Sequence, residues 1–241
     1  MIAAAFSVLL AGFVHSVSGF GIALVAVPLL LFIFEPKSVV VMNVILATVL
    51  CLLLMLNSRP HIDLRRAALI SVGSIFGIPL GAYVLSSIEP SIIKLVIAVL
   101  IIPFSVFLLL GHSYRFKRDG LGCGVAGFIS GTLSTSTSLA GPPVVLFLLN
   151  QGLAKEKFIA TLSAYFLFAG LVGVGTFSFM GMVTTDLLKN VGILLPALVV
   201  GFYLGIKVRA KIDAVLFKRV ATFIVCITAL INIVTVLLEL T

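Results

Sequence analysis

Charge is what this chain has least of. Asp, Glu, Lys and Arg together make up 10% of the residues, against about 25% in a soluble domain. With 61% hydrophobic residues and a mean hydropathy of +1.34, almost none of the chain can form a water-exposed domain, so it reads as a polytopic membrane protein. No Asp or Glu lies inside a long apolar run, which excludes a carboxylate proton relay of the usual pump kind. Lys and Arg are missing from the same runs, so no cationic side chain is available there to neutralise an anion. The 3 cysteines, Cys51, Cys123 and Cys226, stand singly in apolar segments and give neither a disulfide framework nor a metal site. No basic stretch precedes the first apolar run, so a cleaved signal peptide is not expected. Nothing resembles an ATP-binding loop, and the glycine rows follow no strand, so no cofactor is expected. The net charge of +8 is confined to short loops, where it reports orientation and not a nucleic-acid partner.

What is present is apolar length. The stretches 1–34 and 120–154 carry no charged side chain, and each is far longer than the roughly 20 residues that one crossing needs. Each is interrupted by helix-breaking residues. The first reads Ser16-Val17-Ser18-Gly19-Phe20-Gly21, then Pro28; the second runs from Ser134 through Gly141 to Pro142-Pro143. Paired broken segments in two halves point to a transporter's binding site. The other charge-free runs, 38–58, 67–88, 95–114, 158–185, 190–206 and 220–238, each fit one transmembrane helix.

The halves resemble each other. Ala11-Gly12-Phe13 recurs as Ala126-Gly127-Phe128, and Pro28 matches Pro143 at the same offset. Further on, Gly77 and Gly81 match Gly201 and Gly205, Ile88 matches Ile212, Glu89 matches Asp213, and Lys94 matches Lys218. Their order predicts a duplication, with repeats over 1–118 and 119–241. If each long stretch crossed once, the basic residues would divide nearly evenly between the two sides. If both are hairpins, 13 basic residues share one side and only Lys37, Lys94 and Lys189 face the other. The positive-inside rule selects the hairpins. The expected fold is all-α: a transmembrane bundle of two inverted repeats, each a broken, re-entrant hairpin plus three crossings. The hairpin tips should meet near the midplane, with both termini outside and the protein multi-pass in the cell (inner) membrane.

Gly12, Ser18-Gly19-Phe20-Gly21 and Pro28, with Gly127, Gly131, Gly141-Pro142-Pro143 and Asn150-Gln151-Gly152, resemble the sulfite exporter TauE/SafE family of membrane permeases. The Gly73/Gly77/Gly81 and Gly201/Gly205 rows also fit. The family's second motif is usually richer in glycine; here Ser134–Ser138 stand in its place. The resemblance implies transport of small anions, often sulfur-containing: sulfite, sulfonates or organosulfur acids.

An anion at the midplane needs hydrogen-bond donors, because an uncompensated charge in hydrocarbon is costly. Helices beginning after Gly21 and after Gly141 would aim free N–H groups and a positive dipole end at it, with a Pro suited to the first turn. Ser16, Ser18, Ser134, Thr135, Ser136, Thr137 and Ser138 add hydroxyls; the bland reading is that such small residues only let helices pack. Gly19, Gly21 and Gly141 are expected to need glycine, for positive φ or close backbone approach. Asn43, Thr161 and Tyr165 line the site or make ordinary interhelical bonds. His15, just before the first break, is a candidate proton relay, or a histidine that is merely hydrogen-bonded. The Gly73/Gly77/Gly81 and Ala197/Gly201/Gly205 rows read as close helix packing.

The leading reading is a secondary permease, not an enzyme, with a small anion and the lipid bilayer as partners and a coupling proton as a candidate third. An anion channel and a non-transporting membrane assembly protein are the alternatives. A hydrolase using one of Ser134–Ser138 with His15 lacks a nucleophile elbow and an orienting acid.

Overall fold

The computed structural model describes residues 1–58, 61–93, 95–97, 99–100, 119–209 and 211. The expected crossing over 220–238, most of that over 95–114, several loop residues including Arg59, Lys94, Arg115, Lys218 and Arg219, and Cys226 lie outside them. The described residues form helices and no strand. These are α1 (Ile2–Ser18), α2 (Ile22–Leu30), α3 (Pro36–Ser58), α4 (Leu64–Ser87), α5 (Asp119–Thr137), α6 (Gly141–Asn150), α7 (Lys155–Phe179) and α8 (Thr185–Arg209). Residues 90–93, 95–97 and 99–100 are also helical. Helix is the form in which an apolar segment satisfies its own backbone inside a bilayer. α3, α4, α7 and α8 are each long and apolar enough to cross a membrane. The protein is an all-α membrane helix bundle.

Local chemistry sets the helix ends. α1 stops at Gly19, whose left-handed backbone returns its N–H to His15 O at 2.7 Å. α4 starts where the Asp63 carboxylate accepts the Arg66 N–H. Pro28, Pro79 and Pro196 lie inside α2, α4 and α8.

Polar contacts fix which helix ends lie together. Asp63, just before α4, pairs with Lys157 at the start of α7 (3.1 Å), and Arg66 pairs with Asp119 at the start of α5 (3.2 Å). Lys155 donates to the Arg209 carbonyl at the end of α8 (3.1 Å). These four ends form end A of the bundle. At the other end, B, Lys37 at the start of α3 donates to the Ser86 carbonyl near the end of α4 (2.8 Å). α1 runs parallel to α8, since Gly201 faces Leu9 and Phe13 while Gly205 faces Phe13 and Ser16; α1 therefore starts at end B. Residues 1–35 thus enter and return at end B, and residues 119–155 enter and return at end A.

The glycine rows explain the tightest packing. A Cβ on Gly73, Gly77 or Gly81 of α4 would run into Gly124 O, Phe128 O or Thr132 O of α5, and Gly127 and Gly131 of α5 sit equally close on Ile70 and Ser74. α1 and α8 repeat the arrangement, with Gly201 on Leu9 O and Gly205 on Phe13 and Ser16. Small residues at such crossings let backbones approach where no hydrophobic effect drives helices together.

Candidate functional site

The first break is Gly19-Phe20-Gly21, with φ of 82° at Gly19 and 100° at Gly21. The Ser18 hydroxyl holds it, its one hydrogen shared between Phe20 O and Val14 O while its oxygen accepts the Phe20 N–H at 3.3 Å. α2 then starts at Ile22, and its first N–H groups have no partner within the helix. The Ile22 N–H points to His15 Nδ1 at 3.4 Å, which leaves those of Ala23 and Leu24.

The second break is shorter than the sequence suggests. α5 continues through Thr137, so only Ser138, Leu139 and Ala140 interrupt the helix. Apolar helices tolerate Ser and Thr because the hydroxyl bonds back to a carbonyl one turn earlier. Ser136 does so to Thr132 O and Thr137 to Leu133 O. Ser138 has left-handed backbone, φ 64°, and its hydroxyl accepts from Asn43 Nδ2 at 2.8 Å. α6 starts at Gly141 and carries Pro142 and Pro143 in its first turn. Those prolines leave Gly141 with the one N–H among its first three residues.

The breaks do not meet tip to tip. His15, one turn before the first, contacts Cys51 of α3 at 3.6 Å, while Ser138 contacts Asn43 of the same helix. Those positions are 8 residues apart (51 − 43), or about 12 Å along a helix. The hairpins pass each other, and a cavity lies between them. Its walls are His15, Phe20, Gly21 and the first turn of α2; Ser134, Ser138 to Pro142 of the second break; Val44, Ala47 and Cys51 of α3; and Phe166, Ala169 and Gly170 of α7. Among the described residues no Lys, Arg, Asp or Glu lines it.

Of the residues expected at the site, His15, Gly21, Ser134, Ser138 and Gly141 line this cavity. Ser134 presents a hydroxyl with no hydrogen-bond partner among the described residues. Asn43 is fully buried behind Ser138; its Oδ1 has no partner among the described residues, at a cost of about 1–3 kcal/mol for an unsatisfied buried acceptor. Ser16 bonds to Gly12 O and packs under Gly205, Ser18 holds the first break, and Gly19 faces Ile159. Thr135 donates to Ile78 O of α4 (2.7 Å), and Ser136 and Thr137 are spent on their own helix. Tyr165 is buried and donates to Ser130 Oγ at 2.9 Å, while its neighbour Phe166 takes the cavity wall. Thr161 lies at end A, where its hydroxyl accepts the Asp63 N–H at 3.0 Å and donates to Lys157 O. Gly141 lacks a left-handed φ, and a Cβ there would meet only Val145 Cγ2 at 3.9 Å, so neither reason for a glycine applies to it.

Two features were not foreseen from sequence. Cys51 reads as inert core, yet it stands beside His15; no local signal links residues 36 apart. The Asp63–Arg66–Asp119–Lys157 cluster ties the starts of α4, α5 and α7 together at end A. An Asp just before an apolar run is a helix-start signal that points to the first of these. Burial pushes the Asp63 carboxyl up, but the Lys157 hydrogen bond, the Arg66 N–H and both positive charges outweigh it and hold the group below the usual carboxylate range.

Apolar helices long enough to cross a bilayer, around a cavity that no charged side chain among the described residues lines, define a helical membrane protein with an internal cavity. The chain belongs to the sulfite exporter TauE/SafE family, a family of membrane transporters, whose family model matches residues 4–231. No curated protein and no solved structure gives a match.

Proposed function

We propose that this protein is a secondary permease of the cell (inner) membrane that moves a small sulfur-containing anion by alternating access, through the cavity between the two hairpins. The observation that carries the reading is that cavity: both helix breaks contribute to it, the first turn of α2 lines it, and among the described residues no charged side chain does. The family description, sulfite exporter, supports the anion class. The anion is held by neutral donors: the Ala23, Leu24 and Gly141 N–H groups, with the Ser134 and Ser138 hydroxyls. Each such bond contributes about 0.5–1.5 kcal/mol net, so affinity is modest and release is easy.

The same contacts support two inverted repeats, 1–118 and 119–241, since one hairpin opens at end B and the other at end A. Among the described residues Arg65, Arg66, Lys155, Lys157, Lys207, Arg209 and Lys211 belong to end A, against Lys37 and Lys189 at end B. By the positive-inside rule end A is cytoplasmic. His15 remains the candidate proton relay, since it borders the cavity with its Nδ1 on the Ile22 N–H. The test is flux of labelled sulfite and of a small sulfonate into proteoliposomes. Cysteines placed at Lys37 and Lys189 should both react with an impermeant thiol reagent from outside the cell. Absence of flux for both anions, or labelling of the two cysteines from opposite sides, contradicts the reading.

A further inference from the structure

The second break carries a feature that anion recognition does not use. Asn43 Oδ1 is an acceptor, wholly buried and without a partner among the described residues. Its amide is held against Ser138 Oγ at 2.8 Å, which places it at the C-terminal end of α5. The last carbonyls of a helix have no intrahelical donor and carry the negative end of its dipole. The Leu139 N–H, a donor within reach of those carbonyls, goes to Thr137 Oγ1 instead (3.4 Å). Ser138 holds its hydroxyl in place from a left-handed backbone unusual for a residue with a side chain. Asn43 Oδ1 and the last carbonyls of α5 thus lie near one another with no donor assigned to them among the described residues, while Ser138 Oγ, which accepts from Asn43 Nδ2, keeps a second lone pair.

We propose that this end of α5 binds a monovalent hard cation, sodium, through Asn43 Oδ1, Ser138 Oγ and carbonyls of the α5 terminus. A divalent ion would call for carboxylates, and no Asp or Glu lies in the apolar runs. Oxygen-only neutral ligands at the end of a broken helix suit a coupling ion of this kind. The first break offers no equivalent, because Gly19 N–H caps His15 O and Ser18 occupies Phe20 O. The proposal deepens the permease reading and rests on it for its purpose. Ser138 also borders the anion cavity, so cation and anion sit side by side. A chain with no charge in its interior can then carry a neutral ion pair, avoiding the cost of a lone charge in apolar surroundings.

The experiment uses the purified full-length protein in detergent, with no anion substrate added. Sodium chloride is titrated against choline chloride at constant ionic strength, reading the melting temperature and the binding of radioactive sodium. Sodium should raise the melting temperature saturably and potassium much less. Asn43→Leu should weaken sodium binding by at least about tenfold. Asn43→Asp, which keeps the oxygen and adds charge, should tighten it. Ser178→Ala, whose hydroxyl only bonds to Val174 O at the far end of α7, should leave it unchanged. If Asn43→Leu does not fold, Asn43→Asp decides alone. A sodium response no larger than that of choline, one that survives in Asn43→Leu, or one unchanged in Asn43→Asp overturns the proposal. Sulfite binding in choline, measured separately, tests the anion site, so failure of one is not confused with failure of the other.

Discussion

At the first break two glycines, Gly19 and Gly21, take left-handed backbone and the chain turns on them; at the second, the left-handed residue is Ser138 and the nearby Gly141 is not. The first break closes its hydrogen bonds locally, through Ser18 and the Gly19 cap, and frees N–H donors at the start of α2. The second closes its own through Thr137, which accepts the Leu139 N–H, and Ser130, which donates to the Ala140 carbonyl. Its prolines remove donors from α6, and its serine is held from outside by Asn43. The base of each hairpin differs too: Asp119 and Lys157 tie the second to Arg66 and Asp63, whereas Lys37 ties the first only to a backbone carbonyl. One break turns on glycines, the other on a serine held by a neighbouring helix. Two broken hairpins of similar outline need not carry the same chemistry, since the residues at each tip can differ while the helices that carry it keep their packing.

This contrast is sharpest in stability. Gly19→Val must place a branched side chain at φ 82° within 3.0 to 3.3 Å of Ile159, so unfolding in detergent should show a loss of more than about 2 kcal/mol. Gly141→Ala should change stability by less than about 0.5 kcal/mol. Equal losses at both sites would erase the distinction. At the second break Ser138→Ala keeps the left-handed strain and loses the Asn43 bond, whereas Ser138→Gly loses the bond but removes the strain. The glycine variant should be the more stable of the two by about 1 kcal/mol; the reverse order would mean that Ser138 is not strained.

Acid should separate the hairpin bases. The Asp63 carboxyl is held below its unfolded value, so its contribution is present above about pH 4 and is lost as pH falls through the lower folded value. Hydrogen exchange in acid should therefore rise at 119–157 before 1–35, and Asp63→Asn should abolish that difference. The smallest effect concerns the hydroxyls. Ser134→Ala should weaken sulfite binding several-fold, and Ser136→Ala, whose hydroxyl is spent on Thr132 O, should not change it. A loss in Ser136→Ala alone would move the site to the other face of α5.

Much of the frame was legible in the sequence, because charge-free length and glycine breaks are local signals. The 34-residue and 35-residue runs marked both hairpins, and the count of basic residues gave the reading in which each run returns to the side it entered. Site residues were less legible. Serine and threonine look alike whether they face a cavity or bond back to their own helix, and the difference is one of helix face, which alters every residue. Ser134 and Ser136 illustrate it, two positions apart with opposite fates. Thr161 reads as a site candidate beside Asn43, yet α7 begins at end A with the ion-pair cluster, so Thr161 serves Asp63 instead. The Asn43–Ser138 bond joins residues 95 apart, and nothing local announces it.

The central claim is that anions pass through the cavity between the breaks. Ala47 of α3 and Ala140 of the second break both line it, without hydrogen-bonding roles for their side chains. The most direct test is sulfite flux into proteoliposomes for Ala47→Trp and Ala140→Trp, with melting temperatures measured alongside. Flux reduced to the protein-free background in both folded variants is the predicted result; wild-type flux in either would contradict the account.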